Sequence, residues 1–400
     1  MIFSKNAENI SQSVTLSITA KVTEMKKAGI DVIGFGVGEP DFNTPQNIQD
    51  AATRAMKGGY TKYTSASGII ELKEALVKKF KKDNNLNYDV SQIMVSAGGK
   101  QCLSNLFQSI LNKDDEIILA SPYWVTYPEL IKLYNGKPVI IQTEESKGFK
   151  FTLADLKDAL TDKTKAILLN SPNNPTGVVY AKRELEQIAE FAKEHDLLLI
   201  SDEMYEKLIY GESKHISIAS ISEDAFNRTV TINGMSKTYA MTCWRIGYAA
   251  SANTHIIKLM SNIQSQTTAN PNSIAQYASV EAINGDQTSV ELMREQFKKR
   301  RDYMVDKINS IDNISCLKPE GAFYVMLNIS KLIGRKINGS TIIGSFDFTE
   351  KLLNESKVAV VPGDAFGVSN YVRLSYATSL ENIKEGLKRI ADFVEKADRS

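Results

Sequence analysis

The sequence predicts an α/β fold: a large domain built on a mostly parallel central sheet covered by helices, with a smaller α+β domain beside it. Three observations predict it. Short apolar, strand-like runs alternate with helix-period patterns through the first three quarters of the chain, the order expected of a parallel sheet with helices on both faces. After about residue 285 that rhythm gives way to an α+β pattern. The length of 400 residues also exceeds what one simple core accommodates.

Taken in order, residues 17–34 read as a helix followed by Val32-Ile33. They precede the parallel-sheet region and are expected to pack with the small domain. Buried strands are then expected at Gln92–Ser96, Glu116–Ala120, Pro138–Ile141, Ala166–Leu169, Leu197–Ser201, Thr229–Ile232 and Ile246–Ala250. Helices are expected at Lys100–Leu111, Val125–Tyr134, Leu153–Leu160 and Lys182–His195. The charged amphipathic stretch Ser289–Ser310 leads into a strand at Ala322–Leu327 and a helix near Phe346–Glu355. Strands at Val358–Val361 and Val372–Ser375 and a last helix at Leu380–Ala397 follow. The division expected is 1–44 as an N-terminal arm and part of the small domain, 45–285 as the large domain, and 286–400 as the small one.

Composition excludes several classes. Lys and Arg number 48 against 47 Asp and Glu, so nothing favours nucleic acid or an anionic membrane as main partner. The basic runs Lys78-Lys79-Phe80-Lys81-Lys82 and Lys298-Lys299-Arg300-Arg301 read as solvated helix faces. Cys102, Cys243 and Cys316 are too few and scattered for a disulfide framework or a zinc site, so no metal is expected and a reducing compartment fits. Met1 to Ser17 lacks the pattern of a signal peptide, and no apolar run approaches the roughly 20 residues of a membrane span. A cytoplasmic enzyme is the expectation.

Ligands of open α/β sheets bind beyond the carboxyl ends of the strands, so the residues placed there are the informative ones. After the first strand, Ala97-Gly98-Gly99-Lys100 opens a helix: either an anion site of backbone N–H groups or a tight turn. Gly34-Phe35-Gly36-Val37-Gly38 lacks dinucleotide spacing. Asn170-Ser171-Pro172-Asn173-Asn174-Pro175-Thr176-Gly177 is a proline-fixed loop, either aiming asparagine side chains or simply ending a strand. Asp202, followed by Glu203 and Tyr205, is an N-cap or a fixed anion facing a ligand cation. Lys237, in Asn233-Gly234-Met235-Ser236-Lys237, is a surface lysine or a reactive amine, and Arg245 stands eight residues on. Together these put an anion site, an asparagine, a carboxylate, a tyrosine, a lysine and an arginine on one rim. That set meets the needs of pyridoxal phosphate: an amine, an acid for the pyridine nitrogen, and donors for the phosphate and phenolic oxygen.

These motifs resemble the class I aminotransferases, a fold-type-I, pyridoxal-phosphate-dependent family, in its bacterial aspartate and aspartate/prephenate branch. The likeness runs from Gly38-Glu39-Pro40-Asp41-Phe42 to Val372-Arg373-Leu374-Ser375-Tyr376-Ala377-Thr378. Its most specific pieces are Ser171 to Gly177, Ser201-Asp202-Glu203-Met204-Tyr205-Glu206, and Ser236-Lys237-Thr238-Tyr239-Ala240-Met241-Thr242 leading to Trp244-Arg245. The resemblance implies that Lys237 holds the cofactor as a Schiff base and moves the substrate proton, and that Asp202 pairs with the ring nitrogen. It implies that Asn174 and Tyr205 bind the phenolic oxygen, that Gly99, Lys100 and Arg245 hold the phosphate, and that Trp124 stacks on the ring. Tyr63 would reach the phosphate of a partner subunit, making a homodimer part of the site. Arg373 would clamp the substrate α-carboxylate with Asn174, under backbone near Gly38, and Lys100 would meet the side-chain carboxylate beside hydroxyls near Ser13 and Thr15.

Three departures from the family pattern stand out. Gly234 occupies a place often held by a phosphate-binding serine, so Ser236 or water would replace that contact. Cys243 replaces the usual glycine before Trp244-Arg245, and Ser11-Gln12-Ser13 stands where dual-function relatives often carry Lys-Pro. The expected reaction is L-aspartate plus 2-oxoglutarate giving oxaloacetate plus L-glutamate. Its rivals are prephenate, aromatic, alanine or kynurenine transamination, a non-catalytic regulatory module, and a nicotinamide dehydrogenase, for which the glycine fingerprint is missing.

Overall fold

The computed structural model describes residues 3–8 and 10–397, so the extreme ends of the first and last expected segments lie outside the described residues. Seven strands form the central sheet: β1 (Ile93–Ser96), β2 (Glu116–Ser121), β3 (Lys137–Gln142), β4 (Thr164–Asn170), β5 (Leu198–Asp202), β6 (Thr229–Gly234) and β7 (Gly247–Ser251). Their order across the sheet is β1-β7-β6-β5-β4-β2-β3. All neighbours are parallel except β7, which runs antiparallel to both β1 and β6.

The reason these runs form strands is visible in where alternate side chains go. Met94 faces a core with Leu103, Leu106 and Ile232, whereas Ile93 and Val95 face another with Leu72, Leu76 and Phe80. Leu168 likewise joins the first of these cores while Ile167 and Leu169 pack against Leu185 and Ile188. A strand stretch covered on both faces must be apolar on both, and Ile93–Val95 and Ala166–Leu169 are.

A separate three-stranded antiparallel sheet carries β8 (Tyr324–Asn328), β9 (Val361–Pro362) and β10 (Tyr371–Ser375), with β10 in the middle. Its core gathers Phe323, Val325, Leu327, Val372 and Leu374 with Phe297, Ile390 and Phe393 from covering helices. The expected single strand Val358–Val361 is in fact two short pieces. Val358–Ala359 pairs with Ile33–Gly34, and Val361–Pro362 pairs with β10, so the chain changes partners between them. That pairing ties the segment after the helix Val14–Lys27 to the small sheet. Helices Gln46–Lys57, Thr254–Thr267 and Ser273–Asn284 had no counterpart in the sequence expectations.

Lys78, Lys81, Lys82 and Lys299 are exposed as a solvated face requires, but the remaining basic residues of the two runs are not. Lys79, on the helix Ile70–Asn84, is only 8% exposed; its ammonium meets the Glu206 carboxylate and donates to Asn84 Oδ1 at 2.7 Å. Arg301 is buried and donates to the Pro319 carbonyl at 2.9 Å, while Arg300 pairs with Asp41 at 2.7 Å. An ordinary i, i+3, i+4 count cannot tell which lysine of such a run meets a buried acid from a distant turn. Glu203, Glu206 and His215 bring ligand-type atoms within 4.8 Å of one another, and Lys79 supplies the counter-charge there. Among the described residues no helix is long and apolar enough to cross a membrane.

Candidate active site

The carboxyl ends of β4, β5 and β6 lie side by side, with Asn170 paired to Asp202 in the ladder. Above them opens a cavity of about 420 Å³. Asp202, Lys237, Tyr205, Asn174, Gly99, Lys100, Trp124, Arg245, Gly38 and Arg373 all line it. Of the residues to which the family resemblance assigns a contact, Tyr63 and Ser13 do not. Tyr63 is 90% exposed and away from the cavity of its own chain. Ser13 bonds Thr15 Oγ1 at 2.9 Å, and it is Thr15, with Leu16 and Thr19 of the helix Val14–Lys27, that faces the cavity.

Asp202 is the last residue of β5, inside the strand rather than just past it. One carboxylate oxygen accepts a hydrogen bond from the Tyr127 hydroxyl at 2.7 Å, and the other accepts from the Met204 N–H at 3.2 Å. Burial pushes its carboxyl up to about 6, against the downward pull of those two donors. It is therefore a desolvated anion waiting for a cation. The loop after β4 is braced by Asn170, which donates to the Asp202 carbonyl at 3.0 Å and accepts from the Asn174 N–H at 2.8 Å. Asn174 in turn accepts from Arg373 Nη1 at 3.0 Å.

Lys237 follows β6, and its amine donates to the Gly38 carbonyl at 2.5 Å. Burial lowers its ammonium to about 8, and the nearby Arg373 and Arg245 charges act in the same direction. An amine that sheds its proton this easily is a nucleophile near neutral pH.

The helix Gly99–Ile110 begins at the cavity wall behind Gly98, whose φ of 89° is a glycine conformation. A Cβ there would lie 2.2 Å from the Arg245 guanidinium, so the glycine also lets Arg245 fold over the helix start. Arg245 itself has φ 58°, a left-handed backbone that costs an ordinary residue about 1–2 kcal/mol. It donates to the Thr242 carbonyl at 2.9 Å and the Ala97 carbonyl at 3.2 Å, which fixes it beside the helix N-terminus. A helix start and a guanidinium together form an anion site. Lys100 stands in the first turn with its ammonium 5.2 Å from the Trp124 ring centroid; burial and Arg245 both lower its pKa.

Gly234 has a structural reason. It pairs with Gly247, and a Cβ on it would lie 2.9 Å from the Ile246 carbonyl oxygen and 3.1 Å from Gly247 Cα. Ser236 lines the cavity and Gly234 does not. Cys243 is an exposed thiol in the turn Thr242–Trp244.

Arg373, on β10, is buried and donates to the Gly36 carbonyl at 2.9 Å. Among the described residues its Nε, also buried, has no hydrogen-bond partner, an orphaned donor of the kind a bound anion satisfies. Among the described residues four cationic side chains, Lys100, Lys237, Arg245 and Arg373, thus face the cavity against two carboxylates, Asp202 and Glu39. The arrangement suits a ligand that brings several negative charges and one cationic or protonated ring atom.

Sequence reasoning missed Tyr127 and Tyr324. Tyr127 was reachable, since it stands three positions after Trp124 at a helix start, where both can face one side. Tyr324 lies on β8, and only the pairing of β8 with β10 brings it beside Arg373; no local pattern announces that register.

A mostly parallel sheet with this buried amine, acid and anion site at its rim defines an enzyme of the transaminase type. The class I and II aminotransferase family model matches residues 30–390, and the chain belongs to that family. Over 396 residues it is 50% identical to the aspartate aminotransferase of Bacillus subtilis strain 168, covering 99% of this chain and all of that protein. It is 46% identical to the probable aspartate/prephenate aminotransferase of Rickettsia bellii, covering 97% of this chain and 98% of that one. Among solved structures it resembles the Thermus thermophilus aspartate aminotransferase with maleate, at TM-score 0.93 and 41% identity, covering 98% of this chain and all of that one.

Proposed function

We propose that the protein transfers the amino group of L-aspartate to 2-oxoglutarate, giving oxaloacetate and L-glutamate in two successive half-reactions, with pyridoxal 5'-phosphate as cofactor. The observation that carries this reading is that Lys237 and Asp202 face the same cavity, with an anion site at one end and Arg373 at the other.

The residues present fit that cofactor. Its phosphate suits the N–H groups at Gly99 and Lys100 with Arg245, and its ring nitrogen suits Asp202. Its aldehyde suits Lys237, its ring face suits Trp124, and its phenolic oxygen suits Asn174 and Tyr205. The unpartnered Arg373 Nε suits a carboxylate in the plane beside it. When bound, pyridoxal phosphate supplies an electron sink for the charge left when the α-proton departs.

The rest falls to side chains. Asp202, held anionic by Tyr127, keeps the ring nitrogen protonated. Lys237, once freed by an incoming amine, would accept the α-proton and return it two atoms away, beyond the amine nitrogen; its lowered pKa lets the same nitrogen do both near neutral pH. Arg373 fixes the α-carboxylate in two-point geometry, which sets the bond to be broken. Lys100, a cation on the cavity wall beside Trp124, meets the second carboxylate of a dicarboxylic substrate, with Thr15 nearby. The Thermus thermophilus relative, solved with the dicarboxylate maleate, supports this choice of substrate.

The exposed Tyr63 completes the phosphate site of a second copy, so the working unit is a homodimer. Three free cysteines support a reducing, cytoplasmic location. Prephenate is the second reading, favoured by the Rickettsia bellii relative's name. The test is an initial-rate comparison of aspartate, alanine, phenylalanine and glutamate with prephenate. A clear preference for aspartate is expected, and equal rates for alanine, phenylalanine and aspartate would refute the acidic-substrate reading.

A further inference from the structure

Tyr324 is buried at the meeting point of two groups that act at different ends of the cavity. Its hydroxyl lies 2.9 Å from the Tyr205 hydroxyl. Its ring covers the Arg373 guanidinium, with 4.3 Å from the ring centroid to the guanidinium carbon. The third contact is the glycine loop: a Cβ on Gly38 would lie 2.9 Å from the Tyr324 oxygen, so the hydroxyl is packed against the backbone whose carbonyl receives Lys237. Strand register fixes all of this, since Tyr324 pairs with Ser375, two residues beyond Arg373 on the neighbouring strand.

Proton counting gives the contact a direction. Each hydroxyl has one proton. If Tyr205 gives its proton to the ring oxygen of the cofactor, Tyr324 must be the donor in the Tyr324–Tyr205 pair. A hydroxyl that receives a hydrogen bond becomes a better donor itself. The Arg373 charge beside both hydroxyls makes them more acidic and strengthens the chain, and a carboxylate docked on Arg373 cancels that charge. The other charges facing the pair are Asp202 from β5, which acts on Tyr205, and Glu39 from the glycine loop, which acts on Tyr324; both oppose the Arg373 charge.

We propose that Tyr324 is a positioning residue that couples occupancy of the Arg373 carboxylate clamp to the hydrogen bond Tyr205 gives the ring oxygen of the cofactor. This rests on the pyridoxal phosphate reading above. Filling the clamp weakens the donation from Tyr205. Loss of the proton on the Lys237 nitrogen leaves negative charge on the ring oxygen uncompensated, so a weaker donor there makes that nitrogen hold its proton to higher pH. Substrate arrival thereby sets the proton where an incoming amine needs it.

The test uses the cofactor-loaded full-length protein and its visible absorbance, titrated between pH 5 and 10 with and without saturating maleate, an unreactive dicarboxylate. In the unsubstituted protein maleate raises the midpoint. Tyr324→Phe keeps the ring over Arg373 and removes only the hydroxyl. It is expected to raise the maleate-free midpoint by about half a pH unit and to shrink the rise caused by maleate. Maleate affinity should change less than about threefold, because the guanidinium and its stacking survive. In a Tyr205→Phe background the same substitution should change neither midpoint. An unchanged titration in Tyr324→Phe, or equal shifts with and without Tyr205, would overturn the coupling. So would loss of maleate affinity without any change in midpoint, which is what simple packing support predicts. A protein with no titrating visible absorbance at all would instead sink the cofactor reading on which the coupling rests.

Discussion

Tyr127→Phe removes one oxygen and isolates one interaction. The Tyr127 hydroxyl donates to Asp202 Oδ2 at 2.7 Å, both side chains are buried, and the ring is held edge-on by Trp124 at 5.3 Å. The substitution therefore leaves packing intact and withdraws a hydrogen bond to a charged acceptor, worth about 1.5–3 kcal/mol. Each 1.36 kcal/mol corresponds to about one pKa unit, so the Asp202 carboxyl should rise from about 6 by roughly one to two units. At pH 7 the anion then changes from the dominant form to a minority or an even share. Because a carboxyl with a raised pKa loses its anion as pH falls through that value, cofactor affinity should fail at higher pH in the variant. The assay is cofactor binding to the apoprotein between pH 5 and 9, read by quenching of Trp124, which lines the cavity. The acid limb should move up by one to two units, while a second limb near the Lys237 value of about 8 stays in place as an internal control. An acid limb that remains near 6 would refute the claim that Tyr127 keeps Asp202 ionised.

Further expectations follow from the same geometry. Lys100→Met should raise the KM for aspartate at least about tenfold, the order of one charge-assisted contact, and leave alanine kinetics nearly unchanged; equal losses for both would remove Lys100 from substrate recognition. Arg373→Lys keeps the charge but loses the planar fork, so kcat/KM should fall by about two orders of magnitude for every amino acid tested, a uniformity that steady-state comparison across substrates can check. Lys79→Met strands the buried Glu206 carboxylate, costing about 3–5 kcal/mol at pH 7 by denaturant unfolding. Although burial alone would raise it, Lys79 and its neighbours hold the Glu206 carboxyl down to about 2, below its ordinary 4.5. The stabilisation is thus full above about 4.5 and lost as pH falls toward 2. The deficit of the variant should narrow over that window, and a deficit independent of pH would argue against the ion pair.

Much of the fold was legible because most of the central strands are buried on both faces. Their middles read as short, mainly apolar runs, and all seven lie within a residue or two of the expected places. The rim was legible for a related reason: a parallel sheet puts the ends of its strands together, so residues just past each run become neighbours without any knowledge of packing. What stayed hidden depends on distant partners. Nothing near Lys79 in sequence announces Glu206, and nothing near Tyr324 announces Tyr205 or Arg373. The break between Val358–Ala359 and Val361–Pro362 is equally silent, because a change of strand partner leaves the apolar pattern intact. Gly234 shows the reverse case, a departure from family pattern that the sequence flagged and only the close pairing with Gly247 explains.

Lys237 and Lys100 both face the cavity, and burial lowers both. Borohydride reduction of the cofactor-loaded protein, followed by peptide mass mapping, separates them. The pyridoxyl phosphate label should appear on Lys237 alone, and Asp202→Ala should leave it there. A label on Lys100, or spread over several lysines, would contradict the assignment of the amine from which every step above proceeds.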